Sequence, residues 1–69
     1  MIPARAPVRL AAARAMLRLL HEHRRYPLAW IAKELGVSQS LIIRWRDGSH
    51  IPTDDDLDRL RALLRRTKP

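Results

Sequence analysis

The chain contains no cysteine. That excludes disulfide staples, thiol redox chemistry and any zinc site built on thiolates. No apolar run approaches the ~20 residues of a membrane span. No strand pattern, internal repeat or low-complexity tract is visible. Acid is nearly missing from the first two-thirds, where Glu22 and Glu34 stand alone before Asp47. Serine does not occur before Ser38. With 69 residues the chain makes one small domain. A domain of this size buries only ~60% of its unfolded surface, so stability rests on a thin core with no covalent help. The composition fits an intracellular, cytoplasmic protein.

What is abundant is positive charge. Residues 1–46 carry nine basic and two acidic side chains, a net of +7, while residues 47–69 carry five of each. A surface of that kind suits a polyanion, either nucleic acid or an anionic membrane. Arg5, Arg9, Arg14 and Arg18 without acid give the first twenty residues the charge pattern of a transit peptide. Such peptides are rich in serine, which is lacking here, and removing the segment would take about a third of the core. The segment is therefore read as the first helix.

Apolar spacing divides the chain into four helices. Residues 1–6 read as a flexible basic arm. The domain proper spans 7–66, with helices at about 8–24, 27–35, 39–47 and 54–66, and 67–69 form a tail. In the first helix Val8, Ala12, Ala15, Met16, Leu19 and Leu20 recur at three- and four-residue steps. Leu10 and Leu17 broaden that face. Tyr26-Pro27 ends the helix, because a residue preceding proline is pushed out of the helical region, and Pro27 opens the second. Leu28, Ile31, Ala32 and Leu35 are its apolar stripe. Gly36 stops it in a left-handed turn, and Ser38 caps the third helix, which buries Ile42 and Trp45. Thr53 caps the fourth, where Asp54, Asp55 and Asp56 complement the helix dipole and Leu57, Leu60 and Leu64 are buried with Leu63 beside them. Trp45 belongs to the core. Trp30 either packs under the first helix or marks an exposed partner surface.

The stretch from Leu28 to Asp47 carries the strongest signal. Two helices that cross closely need a small residue at the crossing, supplied by Ala32. The turn needs a residue tolerant of positive φ, supplied by Gly36. Val37 plugs the turn, and Ile42 and Trp45 anchor the second helix of the pair. Together these make a helix-turn-helix.

The words Ile31-Ala32-x-x-Leu35-Gly36-Val37-Ser38-Gln39-Ser40, Ile42-x-x-Trp45-x-x-Gly48 and Ile51-Pro52 resemble the Cro and phage-repressor class of helix-turn-helix proteins, the XRE family. The resemblance covers about residues 16 to 64. It implies an all-α, compact, lambda-repressor-like domain of four or five helices with a central helix-turn-helix. It also implies sequence-specific binding of double-stranded DNA as a homodimer, and a small bacterial or phage-encoded transcriptional regulator, most simply a repressor, associated with the nucleoid. Leu28 departs from the family, many members of which place a phosphate-holding glutamine there.

Helical phase selects the outward residues independently. At about 100° per residue, Ile42 and Trp45 define the buried side of the third helix. Ser40, Ile43, Arg44 and Asp47 then face outward, with Gln39 near the edge and Leu41 and Arg46 on the flanks. Glutamine pairs with the N6/N7 edge of adenine and arginine with O6/N7 of guanine. Ile43 is either a thymine-methyl contact or a scattered surface residue. The expected base-contacting set is Gln39, Ser40, Ile43 and Arg44, matching the family's reading positions. The expected phosphate-contacting set is Lys33, Ser38, Arg46, Ser49 and His50. Arg5 is a candidate for an adjacent minor groove.

Rival functions are weaker. His21-Glu22-His23 puts two histidines on nearly opposite sides of a helix, so one ion cannot take both. Asp54, Asp56 and Asp58 have calcium-loop spacing, but Arg59 and Arg65 stand where such a loop needs glycine and glutamate. No catalytic set, cofactor, metal or small-molecule substrate is indicated. A protein-interaction or adaptor module on the same scaffold is the alternative, with Ile43 and Asp47 leaving room for it. A membrane-surface role for the basic first helix is weaker still.

Overall fold

The computed structural model describes residues 6–67. Residues 1–5, which include the expected arm residue Arg5, and residues 68–69 of the expected tail lie outside the described residues. The elements are α1 (Ala6–Arg18), a single π turn (Leu19–His23), α2 (Leu28–Leu35), α3 (Gln39–Asp47) and α4 (Asp54–Arg66). No strand occurs among the described residues, and none of their helices is long and apolar enough to cross a membrane. The radius of gyration is 11.4 Å, against about 11 Å expected for a compact chain of this length.

α1 begins at Ala6, one residue inside the expected arm, and Pro7 sits in its first turn, where a missing N–H breaks no helical hydrogen bond. The buried face differs from the one that spacing suggested. Ala13, Leu17 and Leu20 are buried, Leu10, Ala12 and Met16 are partly buried, and Val8, Ala15 and Leu19 are exposed, Val8 to 68%. Four alanines between positions 11 and 15 mask the phase, and the large residues Leu10, Leu17 and Leu20 decide it. Burying that face also sets Arg9 against Asp54 at the start of α4, with Nε and Oδ1 3.1 Å apart.

Arg25, and not Tyr26-Pro27, turns the chain after α1. It adopts φ +64°, a conformation costing about 1–2 kcal/mol for a residue with a Cβ. The helix first widens by one residue: the Arg24 N–H donates to the Leu19 carbonyl at 3.0 Å and the Tyr26 N–H to the Leu20 carbonyl at 3.0 Å. The widening coincides with a long-range contact. The Arg24 Nη1 donates to the Leu64 and Thr67 carbonyls, both at 3.0 Å, and lies 2.9 Å from Thr67 Oγ1. These satisfy carbonyls that the end of α4 leaves without helical partners.

Pro27 is the cap of α2, not its first residue. Its ψ is 146°, and its carbonyl accepts from the Ile31 N–H at 3.0 Å. Ile31, Ala32 and Leu35 are buried, as their spacing predicted. α2 ends on Gly36 at φ +73°. The Val37 N–H donates to the Ala32 carbonyl and the Gly36 N–H to the Lys33 carbonyl, at 3.0 and 3.2 Å, which is the Schellman pattern. Val37 is half-buried and packs against the core. Ser38 Oγ accepts from the Leu41 N–H at 3.1 Å and caps α3. Ile42 and Trp45 are fully buried. Gly48, at φ +83°, closes α3.

α4 opens with a complete capping box: Thr53 Oγ1 accepts from the Asp56 N–H at 3.1 Å, and Asp56 Oδ2 accepts from the Thr53 N–H at 2.9 Å. Leu57, Leu60 and Leu63 are buried, and Leu64 is only partly so, exchanging the expected roles of Leu63 and Leu64. α4 packs against both α1 and α2, which makes its apolar face wide enough to engage both. Trp30 is half-buried and stacks on Tyr26, ring centroids 4.5 Å apart and planes inclined by 19°. Trp45 Nε1 is buried without a hydrogen-bond partner among the described residues.

The two turn glycines differ in a testable way. A Cβ at Gly36 meets nothing within 4 Å, whereas one at Gly48 comes 3.0 Å from Arg14 Nη2 and 3.5 Å from Leu10 Cδ2. Gly36→Ala is expected to cost about 1–2 kcal/mol, the backbone term alone, and Gly48→Ala more, because Arg14 must also move. Urea denaturation checks the order, and a cheaper Gly48 variant contradicts it. Trp45→Ala is expected to cost about 3–5 kcal/mol, removing most of the cooperative thermal transition of so small a domain. A full transition would place Trp45 outside the core.

Candidate nucleic-acid interface

Two fully buried residues fix the rotation of α3. With Ile42 and Trp45 turned inward, Gln39, Ser40, Ile43, Arg44 and Asp47 are all exposed. Leu41 is half-buried on one flank and Arg46 exposed on the other. Ile43 is 42% exposed, one of four large apolar residues at the surface among the described residues, with Val8, Leu19 and Ile51. All four residues expected to contact bases therefore lie along one protruding row.

Those expected to contact phosphate are exposed as well. Lys33 is exposed on α2, and Arg46, Ser49 and His50 are exposed at and beyond the end of α3. Gly48 is what turns the chain there: the Gly48 and Ser49 N–H groups donate to the Arg44 carbonyl at 2.9 and 3.0 Å, and that of His50 at 3.4 Å. Ser38 is also exposed, but its Oγ already accepts the helix-capping bond from Leu41. Its hydroxyl hydrogen remains as the group that can be offered to a partner. Arg5 lies outside the described residues.

The charges are sorted by element. Asp54 pairs with Arg9, Asp55 with Arg59, Asp58 with Arg61 and Glu34 with Arg66, at 3.1, 3.0, 3.1 and 2.7 Å. Glu22 lies 3.8 Å from Arg18, and Asp56 is engaged in the capping box. Exposed pairs of this kind contribute little to stability, about 0–1 kcal/mol each. Their consequence is spatial. Acid is gathered on α4, chiefly beside that helix's own arginines, and Glu34 is drawn to α4 away from its neighbour Lys33. Lys33, Arg44 and Arg46 form no ion pair among the described residues. Asp47 is the one carboxylate on the α3 row.

Residues outside the expected set also reach this region. Arg14 of α1 donates from Nε to the Arg46 carbonyl at 3.1 Å. The four-residue spacing of Arg14 and Arg18 was a visible signal, but nothing local ties α1 to the end of α3. His21 Nδ1–H donates to the Tyr26 carbonyl at 2.8 Å, and His23 is exposed.

No protein-family profile, curated protein or solved structure matches the chain.

Ser38 separates scaffold from contact. Ser38→Ala is expected to cost about 1 kcal/mol of stability through the lost cap, and Ser38→Asp to recover most of it because aspartate caps equally well. Thermal denaturation of both variants checks this. Equal stability of wild type and Ser38→Ala would mean that the Oγ–Leu41 bond contributes nothing.

Proposed function

We propose that the chain is a lambda-repressor-like helix-turn-helix domain that binds double-stranded DNA sequence-specifically, with α3 in the major groove, and acts as a small transcriptional regulator. The observation that carries this reading is the exposed row Gln39–Ser40–Ile43–Arg44, on a helix whose other side is locked by Ile42 and Trp45. A recognition helix reads base edges with residues near its N-terminus, where this row lies. Its chemistry supplies adenine- and guanine-reading groups and an apolar contact for a thymine methyl. Unpaired Lys33 and Arg46, with Ser49 and His50, supply the phosphate contacts that position such a helix. A homodimer would set two such helices ~34 Å apart, one turn of DNA.

The exposed Ile43 and neighbouring Asp47 favour a second reading, a protein-interaction module. The two readings diverge on salt. Duplex binding through phosphates weakens steeply as salt rises, and apolar docking of Ile43 on a protein does not.

Arg44→Ala is expected to cost about 1–3 kcal/mol at one base position and to relax specificity there. Lys33→Ala is expected to weaken all duplexes alike and to lower the salt slope by about 1. Fluorescence-anisotropy titrations of a selected duplex and its single-base variants at several salt concentrations measure both. A uniform loss for Arg44→Ala on every sequence removes it from the base-reading set, and an unchanged slope for Lys33→Ala removes it from the phosphate set.

A further inference from the structure

Between α1, the π turn, the start of α2 and the end of α3 lies a cleft of about 290 Å³. Arg14, Arg18, His21 and Arg46 line it, with Glu22 as the one carboxylate. Leu17 and Leu28 complete the lining, and their apolar surface reduces the solvent screening of charges at the cleft wall. The contacts described so far do not explain this gathering of three arginines from two elements remote in sequence.

The arrangement is held in place. Arg14 is anchored by its Nε bond to the Arg46 carbonyl at 3.1 Å. Its Nη2 lies where a Cβ on residue 48 would come within 3.0 Å, so the glycine makes room for the guanidinium. With Nε committed, the two terminal nitrogens of Arg14 keep donor hydrogens that no described hydrogen bond uses. Arg18 stands one turn further along α1, and its only ion pair among the described residues is the long 3.8 Å approach to Glu22. His21 spends Nδ1–H on the Tyr26 carbonyl, leaving Nε2 as its other polar atom. Like charges brought to one cleft repel, and one weakly engaged carboxylate does not balance three guanidiniums. A tetrahedral oxyanion does, and arginine forks match its oxygens with charge-assisted hydrogen bonds.

We propose that this cleft binds a phosphate group, with Arg14 and Arg18 as the principal donors and Arg46 closing one side. Two sources carry that chemistry: a backbone phosphate of bound duplex, which rests on the DNA-binding reading, and a free phosphomonoester, which does not. In the first case the cleft extends the footprint from α3 onto α1. In the second it is an effector site wedged between α1 and the end of the recognition helix.

Titration of the isotopically labelled full chain with orthophosphate, pyrophosphate and a short duplex, followed by NMR of backbone amides and arginine Nε–H groups, tests the proposal. Orthophosphate or pyrophosphate is expected to shift the Arg14 and Arg18 Nε–H resonances. Arg18→Gln is expected to weaken pyrophosphate about tenfold, and Glu22→Gln to strengthen it. Arg18 is exposed and its side chain forms no other ion pair or hydrogen bond among the described residues, so its variant is expected to fold even where Arg14→Gln does not. If duplex moves the same resonances and Arg18→Gln lowers the salt slope by about 0.9, the phosphate is the backbone's. If only the free anions move them, it is a phosphomonoester's. Cleft resonances that stay still with all three probes overturn the proposal. In that event, duplex-induced shifts confined to residues 39–44 leave the DNA reading standing by itself. The opposite outcome, free-anion shifts at the cleft with no duplex response anywhere, sinks the DNA reading and keeps the cleft.

Discussion

Everything outward-facing on this molecule depends on how α3 is seated. Two side chains, Ile42 and Trp45, are driven into the core, and a glycine with positive φ at each end, Gly36 and Gly48, lets the chain enter and leave the helix abruptly. Burial of the pair fixes rotation about the helix axis, and the glycine turns fix where the helix begins and stops. Together they leave the Gln39–Arg44 row no choice but to protrude. The indole of Trp45 is the largest fully buried side chain, so the same contact that orients the helix also contributes heavily to a core with little to spare.

A second constraint is the division of charge. α4 collects most of the acid and much of it pairs locally, at its capping box and at i,i+3 and i,i+4 steps. The surplus of positive charge within the helices is thereby left on α1 and α3. Under the proposed function, that surplus is what would draw a polyanion. Arg24 spans the molecule in a different way, tying the π turn to the end of α4. Arg25, next to it, holds a positive φ at the same corner.

Most of the fold was legible because its strongest local signals act at short range. Gly36 with Ser38, and Thr53 with the acidic first turn of α4, fix helix boundaries within a few residues. Ile42 and Trp45 fix a helical phase by themselves. Consequently the exposure of Gln39, Ser40, Ile43 and Arg44 followed from sequence. α1 was read less well, since Ala11, Ala12, Ala13 and Ala15 suit either side of a helix and Val8 and Leu19 pulled the apparent stripe outward. The turn at Arg25 was hidden for a different reason. A left-handed arginine has no local signature, and the contact made by its neighbour Arg24 lies 40 residues away at Leu64. The cleft at Arg14, Arg18 and Arg46 was invisible because only the packing of α1 on α3 assembles it. The all-α, compact architecture is as expected, and the lambda-repressor-like fold and the function attached to it are the proposal that rests on the α3 row.

The most direct measurement is a selection from a pool of randomised duplexes with the wild-type chain, run at low and at physiological salt. The account predicts enrichment of a short defined sequence at both, with overall retention falling steeply between them as phosphate contacts are screened. Recovery of an unenriched pool, or retention that does not respond to salt, would contradict the claim that the protruding face of α3 reads DNA.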